Sequence, residues 1–214
     1  MHTKKNRIAL TVAALIAFMA LIAGIFVSQH LHSKKTIDRR EFHGTLLDQP
    51  REVHQFSLTG IDQKPFDNAS LQGQWTMVFF GFTNCGYLCP TTMAELGKMY
   101  RLLEDKNVKK LPQVVMISID PERDSLKKLN HYVKAFNPHF YGAIGDNDLI
   151  AAMTREMGIA YAKIALKDSE DAQHYDMEHT GTVMLFNPKG ELEAFFTTPH
   201  QADLLAADYM KLIS

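Results

Sequence analysis

The only two cysteines in this 214-residue chain stand four residues apart, at Cys85 and Cys89, between a strand-like run and a helix-like repeat. Thr76 to Phe80 is short, almost continuously apolar and rich in strand formers, the pattern of a strand covered on both faces. Beyond Pro90 the apolar residues Met93, Leu96, Met99, Tyr100 and Leu103 recur at helical spacing, and proline suits a first turn, where its missing N–H is not needed. The segment therefore reads as strand, thiol-bearing loop, helix. The same alternation continues. A second buried strand is expected at Val114 to Ile119, then Asp120-Pro121-Glu122-Arg123-Asp124 opening a helix with an acid-rich first turn that runs to about Phe136, and a further helix from Asp148 to Met157. Thr182 to Phe186 and Leu192 to Phe196 flank Asn187-Pro188-Lys189-Gly190, the turn chemistry of an antiparallel hairpin, and an amphipathic helix follows from Ala202 to Ile213. Upstream, Phe56 to Phe66 alternates around Thr59-Gly60-Ile61-Asp62 as a hairpin would, with a polar turn at Asp67 to Gly73. Strands alternating with helices and closing on a hairpin predict an α/β fold of the thioredoxin kind, a central sheet flanked by helices.

Thiols at i and i+4 beside a helix N-terminus face one side, in a potential that favours the thiolate. Thiolate is the form that attacks disulfides and the form that binds soft metal ions. Cysteine is also a common small buried hydrophobe, but here both would have to fall by chance at one strand-to-helix turn. Three intervening residues, against the two of a thioredoxin redox pair, leave a wider loop able to open around an ion. Two thiolates suffice for linear copper(I), and an imidazole completes a trigonal site. A structural zinc site would want four protein ligands, and no further cysteine exists. Among ten histidines, the residues alone leave His174 and His179 equally placed as a third ligand.

Composition bounds the rest. At 46% hydrophobic, 214 residues fill one core. Beyond Glu41 stand sixteen basic and twenty-two acidic residues, a net charge of −6 that repels phosphate backbones and excludes nucleic acid as a natural partner. Two cysteines are too few for a disulfide scaffold. Ile8 to Val27 carries no charge over twenty residues, about 30 Å as a helix, and predicts an uncleaved transmembrane anchor. Basic residues on both sides (Lys4, Lys5 and Arg7; Lys34, Lys35, Arg39 and Arg40) leave its orientation open on charge. The expected organisation is a cytoplasmic tip and anchor at 1–28, a polar tether at 29–52 and a folded domain at 53–214, with the fold starting near Val53.

Three motifs in this order carry a resemblance. They are Phe79-Phe80-Gly81-Phe82-Thr83 leading to Cys85 and Cys89-Pro90; Ser118-Ile119-Asp120-Pro121-Glu122-Arg123-Asp124; and Tyr175-Asp176-Met177-Glu178-His179-Thr180 ahead of a strand. Over nearly all of residues 53 to 214 the chain resembles the Sco (SenC) family. The resemblance implies a membrane-tethered, thioredoxin-like protein on the extracytoplasmic side, in the periplasm or its equivalent. It implies one copper ion, Cu(I) or Cu(II), held by Cys85, Cys89 and His179, and a role in assembling the binuclear copper centre of cytochrome c oxidase. The implied partners are the copper-site subunit of that oxidase and other copper chaperones or thiol reductases.

It also selects His179 over His174. Two departures stand out: Asn84-Cys85-Gly86-Tyr87-Leu88-Cys89 replaces the family's common His-Cys-Pro-Asp-x-Cys, and Glu178 stands where Asp usually precedes the histidine. Asp120 and Arg123 read as turn and capping residues, and His200, His30, His32 and His43 as solvated. Two other readings compete with a copper chaperone. One is a thiol-disulfide oxidoreductase, with Cys85 and Cys89 as a redox-active pair that keeps the oxidase's copper-ligating cysteines reduced. The other is a peroxiredoxin-like peroxidase using Thr83 and Arg123.

Overall fold

The computed structural model describes residues 15–25, 39–165 and 175–214. The chain divides into two compact units, Met1–Ile37 and Asp38–Ser214. In the first, residues 15–25 form helix α1, whose apolar side chains, among them Phe18, Met19 and Ile22, are exposed. The span expected at Ile8 to Val27 extends outside the described residues at both ends, and among the described residues no helix is long and apolar enough to cross a membrane.

The second unit is built on an eight-stranded sheet in the order β1-β10-β9-β4-β5-β6-β2-β3. At its centre lie β4 (Thr76–Gly81) and β5 (Gln113–Ser118), parallel and in continuous register from Thr76 opposite Gln113 to Gly81 opposite Ser118. β6 (Tyr141–Ile144) pairs parallel with β5. On the other side β9 (Val183–Phe186) and β10 (Leu192–Phe196) form the expected antiparallel hairpin, with β9 against β4. Every residue of β4 is buried, as a strand with layers on both faces requires. Around it α2 (Leu88–Asp105) packs on α5 (Ala202–Ile213), α3 (Leu126–Phe136) packs on β6 and α2, and α4 (Asn147–Met157) ends on Gly158 in the left-handed conformation. Phe79, Phe80, Met93, Leu96, Met99, Val115, Met116 and Phe186 are fully enclosed. This is the expected thioredoxin-like arrangement.

Several elements differ from the sequence reading. β1 (Thr45–Arg51) pairs with β10 ahead of Val53, inside the stretch expected to be tether. It is an interrupted edge strand whose two leucines, Leu46 and Leu47, are adjacent and do not alternate with polar residues, so it shows no strand periodicity. The residues before it are also fixed. Asp208 of α5, with a fully buried carboxylate, accepts the backbone N–H groups of His43 and Gly44 at 2.7 and 2.9 Å and lies 3.1 Å from the His43 ring. His43 is thus bound to the domain and not free in a tether. β2 (Ser57–Gly60) and β3 (Pro65–Asp67) make the expected hairpin, and the polar turn after it is a short 3-10 helix, Asn68–Leu71, capped by Asp67. Helix α3 begins at Leu126 behind Ser125, whose hydroxyl caps Lys128, and its first turn holds no acid. Asp120 to Asp124 form a separate turn, because their side chains are engaged elsewhere. A second, two-stranded sheet of β7 (Tyr161–Ala165) and β8 (Tyr175–His179) was not expected at all.

Candidate metal centre

The thiol loop leaves β4 at Phe82 and enters α2 at Leu88, so Cys89 lies in the first turn of the helix and Cys85 one turn before it. Its second residue, Thr83, is clamped. The Asp124 carboxylate accepts the Thr83 N–H at 3.2 Å, the Thr83 hydroxyl, and the Ser118 hydroxyl at 2.6 Å. The loop is thereby pinned to the C-terminal end of β5. Gly81, just upstream, leaves room for the sulfur: a Cβ there would stand 2.9 Å from Cys89 Sγ and 2.8 Å from the Phe79 ring. Cys89 is fully buried, Cys85 partly exposed, and both are free thiols.

His179, the last residue of β8, completes the group. The ligand atoms of Cys85, Cys89 and His179 all lie within 4.8 Å of one another, and His179 Nε2 is 3.2 Å from Cys89 Sγ. Its other nitrogen, Nδ1, is 3.2 Å from the Thr180 carbonyl oxygen, which can only accept. Nδ1 therefore donates to that carbonyl, so Nε2 is the nitrogen that faces the sulfurs and that, once unprotonated, can serve as a metal ligand. The ring is held between Phe79 and Phe82, at centroid distances of 5.9 and 5.8 Å. The Cys89 amide N–H donates to Cys85 Sγ at 3.3 Å.

The two thiols are electrostatically unlike. Hydrogen bonding from the Cys89 thiol, helped by His179 and backbone N–H groups and opposed by burial, lowers Cys85 to about 3. Burial, then the neighbouring Cys85 sulfur, pushes Cys89 far up. Without metal the pair is thus a thiolate at Cys85 and a thiol at Cys89. A soft cation replacing that proton meets two thiolates and one imidazole nitrogen, a trigonal donor set that suits copper and lacks the fourth protein ligand of structural zinc.

The structure brings together Cys85, Cys89 and His179 as expected, and His174, like His30 and His32, lies outside the described residues. Thr83 is engaged by Asp124 and Arg123 by Asp120 and Tyr175, so neither stands as the activating partner a peroxidase would need at a cysteine. His200 is not solvated: its Nε2 donates to the Gly181 carbonyl at 2.6 Å, Nδ1 is buried with no partner among the described residues, and burial lowers its pKa. Asp120 and Arg123 do more than shape a turn. They form a buried cluster with Tyr175, whose hydroxyl donates to Asp120. Sequence reasoning missed this role, along with that of Asp124. The one available signal was the density of charged residues directly after a fully apolar strand.

A family model described as SCO1/SenC matches residues 45–214, starting at the first residue of β1. Human mitochondrial protein SCO1 homolog is 31% identical over 180 residues, covering 83% of this chain and 57% of its own, so the chain spans little more than half of that relative. The solution structure of apo Sco1 from Thermus thermophilus is 33% identical with a TM-score of 0.68, over 80% of this chain and 96% of that one. The crystal structure of Arabidopsis thaliana ScoI, which has copper bound, is 31% identical with a TM-score of 0.68, over 75% and 96%.

Proposed function

From its membership of the SCO1/SenC family, we propose that this chain is a copper chaperone: Cys85, Cys89 and His179 take up one copper ion and yield it to the copper-site subunit of cytochrome c oxidase during assembly. The observation that carries the reading is the convergence of three ligand atoms, from an irregular loop, a helix start and a separate hairpin, within 4.8 Å. In uptake Cys85 is the ready ligand, already a thiolate and accessible. Cys89 loses its proton on binding, and His179 offers Nε2 because Thr180 holds the proton on Nδ1. Release runs the same exchange in reverse onto the recipient's ligands, without turnover.

The runner-up is a thiol-disulfide oxidoreductase that keeps the recipient's cysteines reduced, and the depressed Cys85 pKa favours it. The two part at His179. Its Nε2 at 3.2 Å from Cys89 serves a metal directly, whereas thiol exchange does not require it. In His179→Ala, copper binding should weaken and Cu(II) binding suffer most, while exchange with a test disulfide changes little. Oxidase assembly in the source cells should then fail as it does without both cysteines, and added copper should partly restore it. Normal assembly without His179, together with loss in Cys85→Ala, Cys89→Ala, makes the protein a reductase.

The same reading places the chain in a membrane through one pass at Ile8 to Val27, with the N-terminus cytoplasmic and the domain outside. The uncharged run and the need of a thiol site for an extracytoplasmic client support it. Reporter enzymes fused after Ser214 test the topology, and activity from a cytoplasmic reporter alone reverses it.

A further inference from the structure

The β7–β8 hairpin that carries His179 shares no ladder with the eight-stranded sheet among the described residues. His179 itself lies outside that sheet's ladders, and the chain enters the sheet four residues later at Val183, opposite Phe79 of β4. Side chains hold the other end of β8, where one nearly buried cation spans from the hairpin to the cysteine loop. The Arg123 guanidinium lies 3.7 Å from the ring centre of Tyr175, the first residue of β8, and 5.7 Å from that of Phe82, which begins the cysteine loop and packs on His179. Its Nε donates to Asp120 at 2.5 Å and its Nη1 to the Tyr175 carbonyl at 2.6 Å, while the Tyr175 hydroxyl donates to the other oxygen of Asp120. Lys163 on β7 sits 4.8 Å from the same Tyr175 ring and pairs with Glu122 at 2.6 Å. Arg123 thus makes two hydrogen bonds and two ring contacts, joining the cysteine loop, the Asp120 turn and the hairpin. Its geometry is that of a brace.

We infer that Arg123 is a positioning residue: clamped between Phe82 on the cysteine side and Tyr175 on the histidine side, it sets the separation of His179 from Cys85 and Cys89. The inference rests on the copper-binding reading above. With the brace in place the centre presents three ligands, and with it open only the two thiolates, a set that still suits Cu(I) but not Cu(II).

Three variants of the full chain test it. Arg123→Met keeps a long stem and removes the guanidinium, Arg123→Lys restores the charge without the fork, and Tyr175→Phe deletes only the hydroxyl that reaches Asp120. The first readout needs no metal. The flanking Phe79 and Phe82 rings displace the His179 ring-proton NMR shifts from free-histidine values. These shifts should move toward the free values in Arg123→Met, and less in Arg123→Lys and Tyr175→Phe. The second is Cu(II) affinity, which should fall about 10- to 100-fold in Arg123→Met, as when other groups that orient ligating histidines are removed. It should fall no further when Arg123→Met is added to His179→Ala. Unchanged His179 shifts in Arg123→Met overturn the inference, and so does an added loss in the double variant, since Arg123 would then act independently of His179. If Arg123→Met does not fold, wild-type shifts in both other variants overturn it equally. Should the wild-type chain take up no copper, the copper reading fails, and the His179 shifts still decide what Arg123 does.

Discussion

Two cysteines of the same type, four residues apart, are chemically different because one sulfur is open to solvent and its neighbour is enclosed. Alkylation of the metal-free protein reads the difference. Iodoacetamide should modify Cys85 first, at a rate nearly independent of pH from 8 down to about 4, because the thiolate persists until pH approaches its depressed value of about 3. An ordinary thiol would lose about tenfold per pH unit below its pKa of about 8.5. Equal labelling of both cysteines, or a rate that falls with acidification from pH 8, contradicts the assignment. At this scale the sequence disclosed the thiols but not their inequality, which arises from burial of Cys89 against the end of β4. It disclosed His179 only through the family resemblance, since no local pattern separates that residue from His174. His200 reads as solvated, for its partner is the Gly181 carbonyl 19 residues earlier, on the far side of the β9–β10 hairpin, and polarity alone gives no hint of enclosure.

The strand–loop–helix element was legible almost residue by residue, because a doubly covered strand and a helical repeat leave strong periodic traces on either side of a proline. Its tightest point is Gly81. A methyl group there would meet Cys89 Sγ, the Phe79 ring and the Met116 methyl at 2.9, 2.8 and 3.1 Å. Gly81→Ala should therefore cost about 1–3 kcal/mol, the range for overpacking, measured by denaturant unfolding of the metal-free chain, and should weaken copper binding as Cys89 shifts. Wild-type stability and affinity together would show that the sulfur has slack the geometry does not suggest. The β7–β8 hairpin left no comparable trace. Its strands have five residues each, most of the side chains on β7 are exposed, and its docking depends on Arg123 meeting a residue 52 positions later. Asp120 and Arg123 read locally as turn chemistry because the tertiary half of their interaction lies so far along the chain.

At the scale of the molecule, the alternation of strands and helices was enough to expect the α/β architecture, but not where it starts. β1 is an edge strand whose two leucines sit side by side and do not alternate with polar residues, so it resembles linker until it is seen beside β10. A protein beginning at Val53 would lose that strand, the latch of His43 and Gly44 on Asp208, and Phe42, which is buried against Phe196. Removal of one buried phenylalanine side chain alone costs about 3–5 kcal/mol, so this shortened chain should unfold at markedly lower denaturant than one starting at Arg39. Coincident unfolding curves for the two would mean that β1 contributes nothing to the domain.

The enclosure of Cys89 also governs what would follow if the pair were oxidised. An outside thiol can reach the Cys85 sulfur, but attack there must expel Cys89 as a thiolate, a form its apolar surroundings penalise. Attack at Cys89 would expel the far better leaving group Cys85, yet that sulfur is shielded. Both routes of exchange are obstructed, one by leaving-group basicity and the other by access. A disulfide in this position would therefore outlast a pool of small thiols, and its return to the metal-binding state would fall to a reductant shaped to reach inside the loop.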